Sequence, residues 1–238
     1  NSYVTTHKLT KNFDLYSAEE FAQLRREAVR TQFGSYQPDN INFVGLEGSN
    51  FTKGRFVNWE DEVLQSGLIN SNTVSLMGGN ENTKLFTSIN YFTQKGLIPT
   101  ADYKRGSFRI NLDQKINDRA SIEANLNFAT DKQRKETNNL DFITISPFTG
   151  PYDSTGGLIK LVAGANASSS TLNPLWDIAE SDNDTKTNFF NINLVGNYKF
   201  SNNFSYKLNT LISRRNVDEG VYLTRQHSVG LPLSGSAA

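Results

Sequence analysis

Residues Ser107–Thr130 read SFRINLDQKINDRASIEANLNFAT, and they decide how this chain is built. Phe108, Ile110, Leu112 and Ile116 fall on one face, interrupted by Gln114, while Arg109, Asn111, Asp113 and Lys115 fall on the other. After Asn117-Asp118-Arg119, the residues Ile122, Ala124, Leu126 and Phe128 alternate with Glu123, Asn125, Asn127 and Ala129. A side-chain period of two predicts strands, and the polar turn between two such runs predicts an antiparallel hairpin. Its apolar face needs a cover, either protein or lipid.

The same pattern extends outward from this hairpin. Alternation over 70–78, with Val74 and Leu76 on one face, leads through a turn at Gly79–Asn82 into Leu85, Thr87, Ile89, Tyr91 and Thr93. A loop is expected over Lys95–Gly106 and a long irregular insert over Asp131–Lys186. A further hairpin follows: Phe190, Ile192, Leu194, Gly196, Tyr198 and Phe200, then Ser201-Asn202-Asn203, then Phe204, Tyr206, Leu208, Thr210 and Ile212. Asn216–Ala238 reads as loop, and Asn1–Thr6 as the end of a strand. Ser17–Phe33 reads as a helix closed by Gly34: Ser17 and Glu20 make a capping box, Tyr16 and Phe21 a hydrophobic staple, and Phe21, Leu24 and Ala28 an apolar stripe. Gln37–Gly67 is expected to be irregular, apart from a helical turn at Trp59–Gln65.

Two features favour lipid as the cover. Runs of about 10–14 residues exceed the soluble mode of about 5–6, and about ten tilted residues cross an apolar band of about 25 Å. The tight turns (79–82, 117–119, 201–203) all fall at one end of the sheet and the long connections at the other, as in outer-membrane barrels. Phe200 and Phe204 flank a tight turn, and Phe108, Phe128 and Phe190 are expected near the opposite strand ends, as interfacial aromatics. The expected fold is all-β: a partial antiparallel transmembrane β-barrel of about seven up-and-down strands, with one helical insert in an early extracellular loop. Both chain ends read as cut, which makes residues 1–238 the expected N-terminal part of a longer barrel.

Composition narrows the function. Lys plus Arg, 24, equals Asp plus Glu, 24, so no net field favours nucleic acid. The absence of cysteine removes disulfides, thiol nucleophiles and thiolate metal sites. No apolar run approaches the roughly 20 residues of a membrane-spanning helix. The two histidines, His7 and His227, sit in no triad or metal spacing, and no cofactor is expected. Asp182-Asn183-Asp184 begins like a calcium loop but lacks the glycine and distal glutamate of an EF-hand, so a solvated acidic loop is the better reading. Glu60-Asp61-Glu62 reads as a surface helical turn before it reads as an acid–base pair. Gly156-Gly157 lacks the strand–helix context of a phosphate cradle.

Several stretches resemble SusC/RagA-type TonB-dependent transporters of Bacteroidetes outer membranes. Asn58-Trp59-Glu60-Asp61-Glu62-Val63-Leu64-Gln65-Ser66-Gly67-Leu68 is similar to the acidic-Trp segment before an early barrel strand of that family. Val74–Gly79, Phe86–Tyr91 and Gln94–Ile98 resemble its hairpin, Lys104–Asp113 with Ile116–Arg119 continues the match, and Tyr16–Phe21 fits the helical insert after its first strand. The resemblance covers most of residues 1–130, and 187–215 by pattern. It implies a cell outer-membrane location in a Gram-negative bacterium and TonB-dependent uptake of oligosaccharides, or less often peptides, with no covalent chemistry. It also implies a SusD-like lipoprotein on the extracellular side and outer-membrane lipid around the wall. TonB would be reached through a plug region outside this sequence, and no nucleic acid is a partner.

The candidate ligand-facing residues are the aromatics of the long insert, Phe142, Phe148, Tyr152 and Trp176, whose flat faces suit sugar rings or apolar peptide groups. Packing of the insert against itself is the competing reading. Arg109, Asp113, Lys115, Glu123, Lys199 and Lys207 are expected to line the lumen. A soluble β-sandwich, as in a carbohydrate-binding or adhesin module, is the alternative, and it predicts a protein core without detergent. A β-class enzyme would instead lose activity on Asp182→Ala or Glu60→Ala.

Overall fold

The computed structural model describes residues 1–33, 43, 45–136, 140–164, 169–228 and 236–237. Its strands are β1 (Ser2–His7), β2 (Gly67–Gly79), β3 (Thr83–Lys95), β4 (Asp102–Lys115), β5 (Ala120–Arg134), β6 (Leu161–Ala163), β7 (Ser170–Leu172), β8 (Ser181–Ser201), β9 (Phe204–Leu223) and β10 (Ser236–Ala237). Helices α1 (Ala18–Phe33), α2 (Gly45–Thr52) and α3 (Trp59–Val63) lie between β1 and β2, and α4 (Pro174–Ala179) precedes β8. One antiparallel sheet runs in the order β1-β2-β3-β4-β5-β8-β9-β10, open at β1 and β10, and β6 with β7 forms a small separate hairpin. The helix expected over Ser17–Phe33 forms with the capping box intact: the Ser17 amide donates to Glu20 Oε2 at 2.8 Å and the Glu20 amide to Ser17 Oγ at 3.2 Å. The expected stop at Gly34 lies outside the described residues.

Asparagines fold two of the three tight turns, and Ser201 Oγ accepts the Asn203 amide at 3.3 Å in the third. Asn80 Oδ1 accepts the amides of Asn82 and Thr83, both at 2.9 Å, and Asn117 Oδ1 those of Arg119 at 2.8 Å and Ala120 at 2.9 Å. A short side-chain acceptor that reaches its own backbone two or three residues on reverses the chain without a long loop. The tight turns all lie at one end of the sheet, and the connections carrying α1–α4 and β6–β7 at the other.

The register joins the alternating runs into continuous rows. Val74, Ile89, Phe108, Phe128 and Phe190 are successive cross-strand partners, and so are Leu76, Thr87, Ile110, Leu126, Ile192 and Ile212. This apolar face is uncovered: Val74 is 75% exposed, Leu76 65% and Ile89 59%. The opposite face is polar and internally bonded. Asn90 Nδ2 donates to Thr73 Oγ1 at 2.8 Å, Arg109 Nε donates to Asn127 Oδ1 at 2.7 Å, and Asp113 sits across from Glu123. By register, Lys115, Lys199 and Lys207 share that face.

The strands run further than alternation predicts. The loop expected at Lys95–Gly106 shrinks to 96–101, the insert expected at Asp131–Lys186 to 135–180, and β9 continues to Leu223 through residues expected to be loop. The residues added to β4, β5 and β8 are mostly polar on both faces, and the apolar ones added to β9 (Val217, Val221, Tyr222 and Leu223) keep no strict alternation, so they carry no apolar period. Ladder hydrogen bonds and the Lys132–Asp184 and Lys104–Asp102 ion pairs, at 2.5 and 3.0 Å, hold them in line. Two corrections follow. Asp182–Asp184 is strand rather than acidic loop, and the Phe108–Phe128–Phe190 row sits inside the sheet rather than at its rim. The segment before Gly67, expected to hold one helical turn, holds both α2 and α3.

A soluble sandwich needs a second sheet against the apolar face. Among the described residues the only other sheet is β6–β7, two strands of three residues each.

Candidate functional site

The long connections fold together at one end of the sheet, and aromatic burial drives them. Trp59 and Val63 from α3 pack with Phe142, Ile145, Val162, Leu175 and Ile178 from the insert. Phe21 and Ala22 from α1 pack with Phe148, Phe43 and Phe51 in a second cluster. Phe148 lies 5.1 Å from the Phe43 ring and meets Phe51 edge-on at 5.3 Å. Edge-to-face contacts of this kind add about 0.5–1.5 kcal/mol each beyond area burial.

Buried polar groups tie the pieces together. Trp59 Nε1 donates to the Ser146 carbonyl at 3.1 Å, and Glu60 Oε2 accepts the Phe13 amide at 2.8 Å. Asn173, fully buried, caps α4 by accepting the Leu175 amide at 3.1 Å, while its amide group donates to the Pro151 and Ile159 carbonyls. The Arg25 guanidinium pairs with Glu47 at 3.0 Å, donates to the Gly164 carbonyl at 3.2 Å, and lies 5.4 Å from the ring centres of both Phe21 and Phe43. These bonds make the connections a cap with its own core.

The sequence-predicted site residues divide on burial. Phe142 and Phe148, 1% and 4% exposed, belong to the two cores. Tyr152 is 49% exposed, at the mouth of a turn organised by Asp153. Asp153 Oδ1 accepts from Thr155 Oγ1 at 2.7 Å, the Thr155 amide at 2.8 Å and the Gly157 amide at 2.9 Å, and these donors hold its carboxyl below the usual range. Gly156-Gly157 therefore serves this turn, with Gly156 at φ 86°. Trp176 is half-buried: its Nε1 donates to the Gln226 carbonyl at 3.0 Å, and Lys160 Nζ stands 5.9 Å from its ring centre and bonds the same carbonyl. Phe148, Tyr152 and Trp176 thus lie in one cap without converging on one surface.

A different set of aromatics converges. An apolar cleft of about 510 Å³ opens between the segment before α1, the start of α3 and the insert. Phe13, Tyr16, Leu24, Phe56, Trp59 and Ile143 line it, and Phe56 and Tyr16 are 67% and 62% exposed. Tyr16 stays out in this cleft while Phe21 turns into the core. Sequence reading missed the cleft because Phe13 and Phe56 have no periodic neighbours. The usable signal was the density of aromatic residues over 13–59 in a stretch otherwise polar. The cap offers exposed aromatic surface and buried, satisfied carboxylates, an arrangement for binding rather than for proton transfer.

No family model matches the chain. Among curated proteins it is similar to TonB-dependent receptor P3 of Formosa agariphila, 25% identical over 248 residues that take in 99% of this chain and 22% of that protein. TonB-dependent receptor P26 of the same organism is 30% identical over 135 residues, covering 56% of this chain and 13% of the relative. TonB-dependent receptor SusC of Bacteroides thetaiotaomicron is 21% identical over 214 residues, 86% of this chain and 20% of SusC. In fold, the chain is similar to the solved RagAB peptide transporter, with a TM-score of 0.76 and 16% identity over 94% of this chain and 28% of that one. The RagAB peptide importer in its closed-closed state gives the same TM-score at 17% identity. The chain spans about a fifth of the length of the first curated relative. It is homologous to a stretch of TonB-dependent receptors, as the resemblance in its sequence indicated. Those relatives are receptors rather than enzymes, and its location is the outer membrane.

Proposed function

We propose that this chain is part of the wall and extracellular cap of a TonB-dependent channel that takes up oligosaccharides or other large nutrients. The observation that carries the reading is the uncovered apolar band, backed across the same strands by a bonded polar face. Along β5 the band runs from Ala120, in the Tyr198–Tyr206 row, to Thr130, in the Tyr91 row. Ten residues at about 3.4 Å each, tilted by about 40°, span about 26 Å, matching an outer-membrane apolar band of about 25 Å. Tyr198, Phe200, Phe204 and Tyr206 stand at its tight-turn rim, where an aromatic girdle belongs.

In this reading the tight turns face the periplasm, and the cap with its helix α1 faces outward. Tyr152 and Trp176 present stacking surfaces to substrate, Phe148 holds the cap from within, and a SusD-like lipoprotein lies over the cap. TonB acts through a plug supplied outside residues 1–238. Cysteine labelling tests the wall. The chain has no native cysteine, so in the full-length protein Asn111→Cys reacts with a water-soluble maleimide in isolated outer membranes and Ile110→Cys does not. Equal reaction at both positions would overturn the reading. Loss of uptake in Tyr152→Ala or Trp176→Ala, at unchanged surface abundance, tests the ligand role.

A further inference from the structure

The cap keeps part of its apolar surface open in one concave place. The cleft between the segment before α1, the start of α3 and the insert measures about 510 Å³. Sites that enclose a small organic ligand measure about 300–1,000 Å³. Phe13, Tyr16, Leu24, Phe56 and Ile143 line the cleft and are 39–67% exposed, so their apolar area has no cover within the cap. Neither Tyr152 nor Trp176 belongs to this lining.

The charge in the lining has one sign. Glu19 and Glu60 are carboxylates, and among the described residues no lysine, arginine or histidine lines the cleft. Glu60 is only 6% exposed, and a carboxylate so far out of water is costly without a counter-charge. The Phe13 amide donates to its Oε2 at 2.8 Å, but among the described residues no cation pairs with it. Lys11 and Arg55, next in sequence to lining residues, are exposed and stand outside the lining. Arg25 is committed to Glu47 and the Gly164 carbonyl. The aromatic faces act in the same direction as the carboxylates, because a cation within about 6 Å of a Trp, Tyr or Phe ring centre is attracted to its face.

We infer that this cleft binds a small organic cation, an ammonium or guanidinium group carried on an apolar body. The body covers Tyr16 and Phe56, the cation neutralises Glu60, and Glu19 adds to the attraction. Other ligand classes each leave something unmet. A neutral apolar molecule leaves the Glu60 charge without a partner, an anion meets two carboxylates, and a bare metal ion leaves the rings wet. Every residue of the site lies in the cap, so the inference goes beyond the channel-wall reading and is tested separately from it.

Calorimetry on the full-length protein in detergent tests it with three probes of one shape: phenethylammonium, 2-phenylethanol and phenylacetate. The cation is expected to bind about tenfold more tightly than the alcohol, and phenylacetate more weakly than either. Glu60→Gln keeps an oxygen for the Phe13 amide, so the local fold is retained, and it brings the cation down to the affinity of the alcohol. Phe56→Ala truncates a ring that is 67% exposed and holds little of the core, and it weakens cation and alcohol alike. Glu62→Gln, on α3 but outside the lining, changes neither. Equal affinities of the wild-type protein for cation and alcohol overturn the inference, as does a wild-type protein that binds no cation. A preference for the cation that survives Glu60→Gln overturns it too, as does unchanged binding in Phe56→Ala. Uptake of probe by micelles is common to wild type and Glu60→Gln, so it cannot imitate the expected difference between them.

Discussion

Arg25 on α1 and Glu47 on α2 form an ion pair at 3.0 Å with side chains only 2% and 4% exposed. Two charges out of water persist only while each compensates the other, so losing one strands its partner. Arg25→Met or Glu47→Leu alone is expected to destabilise the cap by about 3–5 kcal/mol, and the double variant by less than the sum. Protease cleavage rates within the cap of the folded protein measure this. Additive effects would show that the pair is not coupled.

Gly79 closes the first hairpin at a point where no side chain fits. A Cβ there would lie 2.2 Å from the Thr83 carbonyl oxygen and 2.9 Å from Lys84 Cα, both backbone atoms that cannot swing away. Gly79→Ala is expected to open the β2–β3 turn, whose Asn80 amide donates to that same carbonyl at 2.7 Å. Amide exchange at Asn80 and Asn82 should rise, while that at Arg119 in the β4–β5 turn stays as it was.

The first turn of α1 has a pH dependence with a definite sign. The Ser17 amide, then the Ser17 hydroxyl, holds the Glu20 carboxyl below its ordinary value of 4.5. The folded form thus favours the carboxylate, and the stabilisation is present above the unfolded value and lost as pH falls through the folded one. Exchange at the start of α1 should therefore quicken below about pH 4.5, the unfolded value. Glu20→Gln, which cannot titrate, should flatten the profile.

Sequence alone carried the sheet wherever one face was apolar. The hairpins around Asn80, Asn117 and Asn202 and the polar row from Arg109 to Lys115 were legible because period two and the Asn and Ser chemistry of tight turns are local signals. The outer thirds of β5, β8 and β9 were not, since Lys132, Asp184 and Asp218 stand where both faces are wet and the period vanishes. The cap was legible only as a list of aromatics. Phe142 and Tyr152 look alike in sequence, and what separates a 1% exposed ring from a 49% exposed one is contact with Trp59 and Phe13, more than eighty residues away.

Phe142 now reads as the central strut of that cap. It meets Phe13 edge-on at 5.3 Å and packs with Trp59 and Val63. Phe142→Ala is expected to cost about 3–5 kcal/mol, and to lower surface abundance of the full-length protein. Tyr152→Ala should leave abundance unchanged. Quantitative labelling of intact cells separates the two.

The sharpest contrast lies between adjacent residues of β5. Leu126 sits in the apolar row between Ile110 and Ile192, whereas Asn127 faces the other way and accepts from Arg109 at 2.7 Å. Against lipid, Leu126→Arg is expected to cost about 2–4 kcal/mol near the midplane of the bilayer. Asn127→Arg would forfeit one exposed hydrogen bond and set a second guanidinium beside Arg109 in water. Heat-modifiable migration of the folded full-length protein should therefore be lost for Leu126→Arg and kept for Asn127→Arg. If both variants fold equally well, lipid is not what covers the face that Leu126 shares with Phe108 and Phe128.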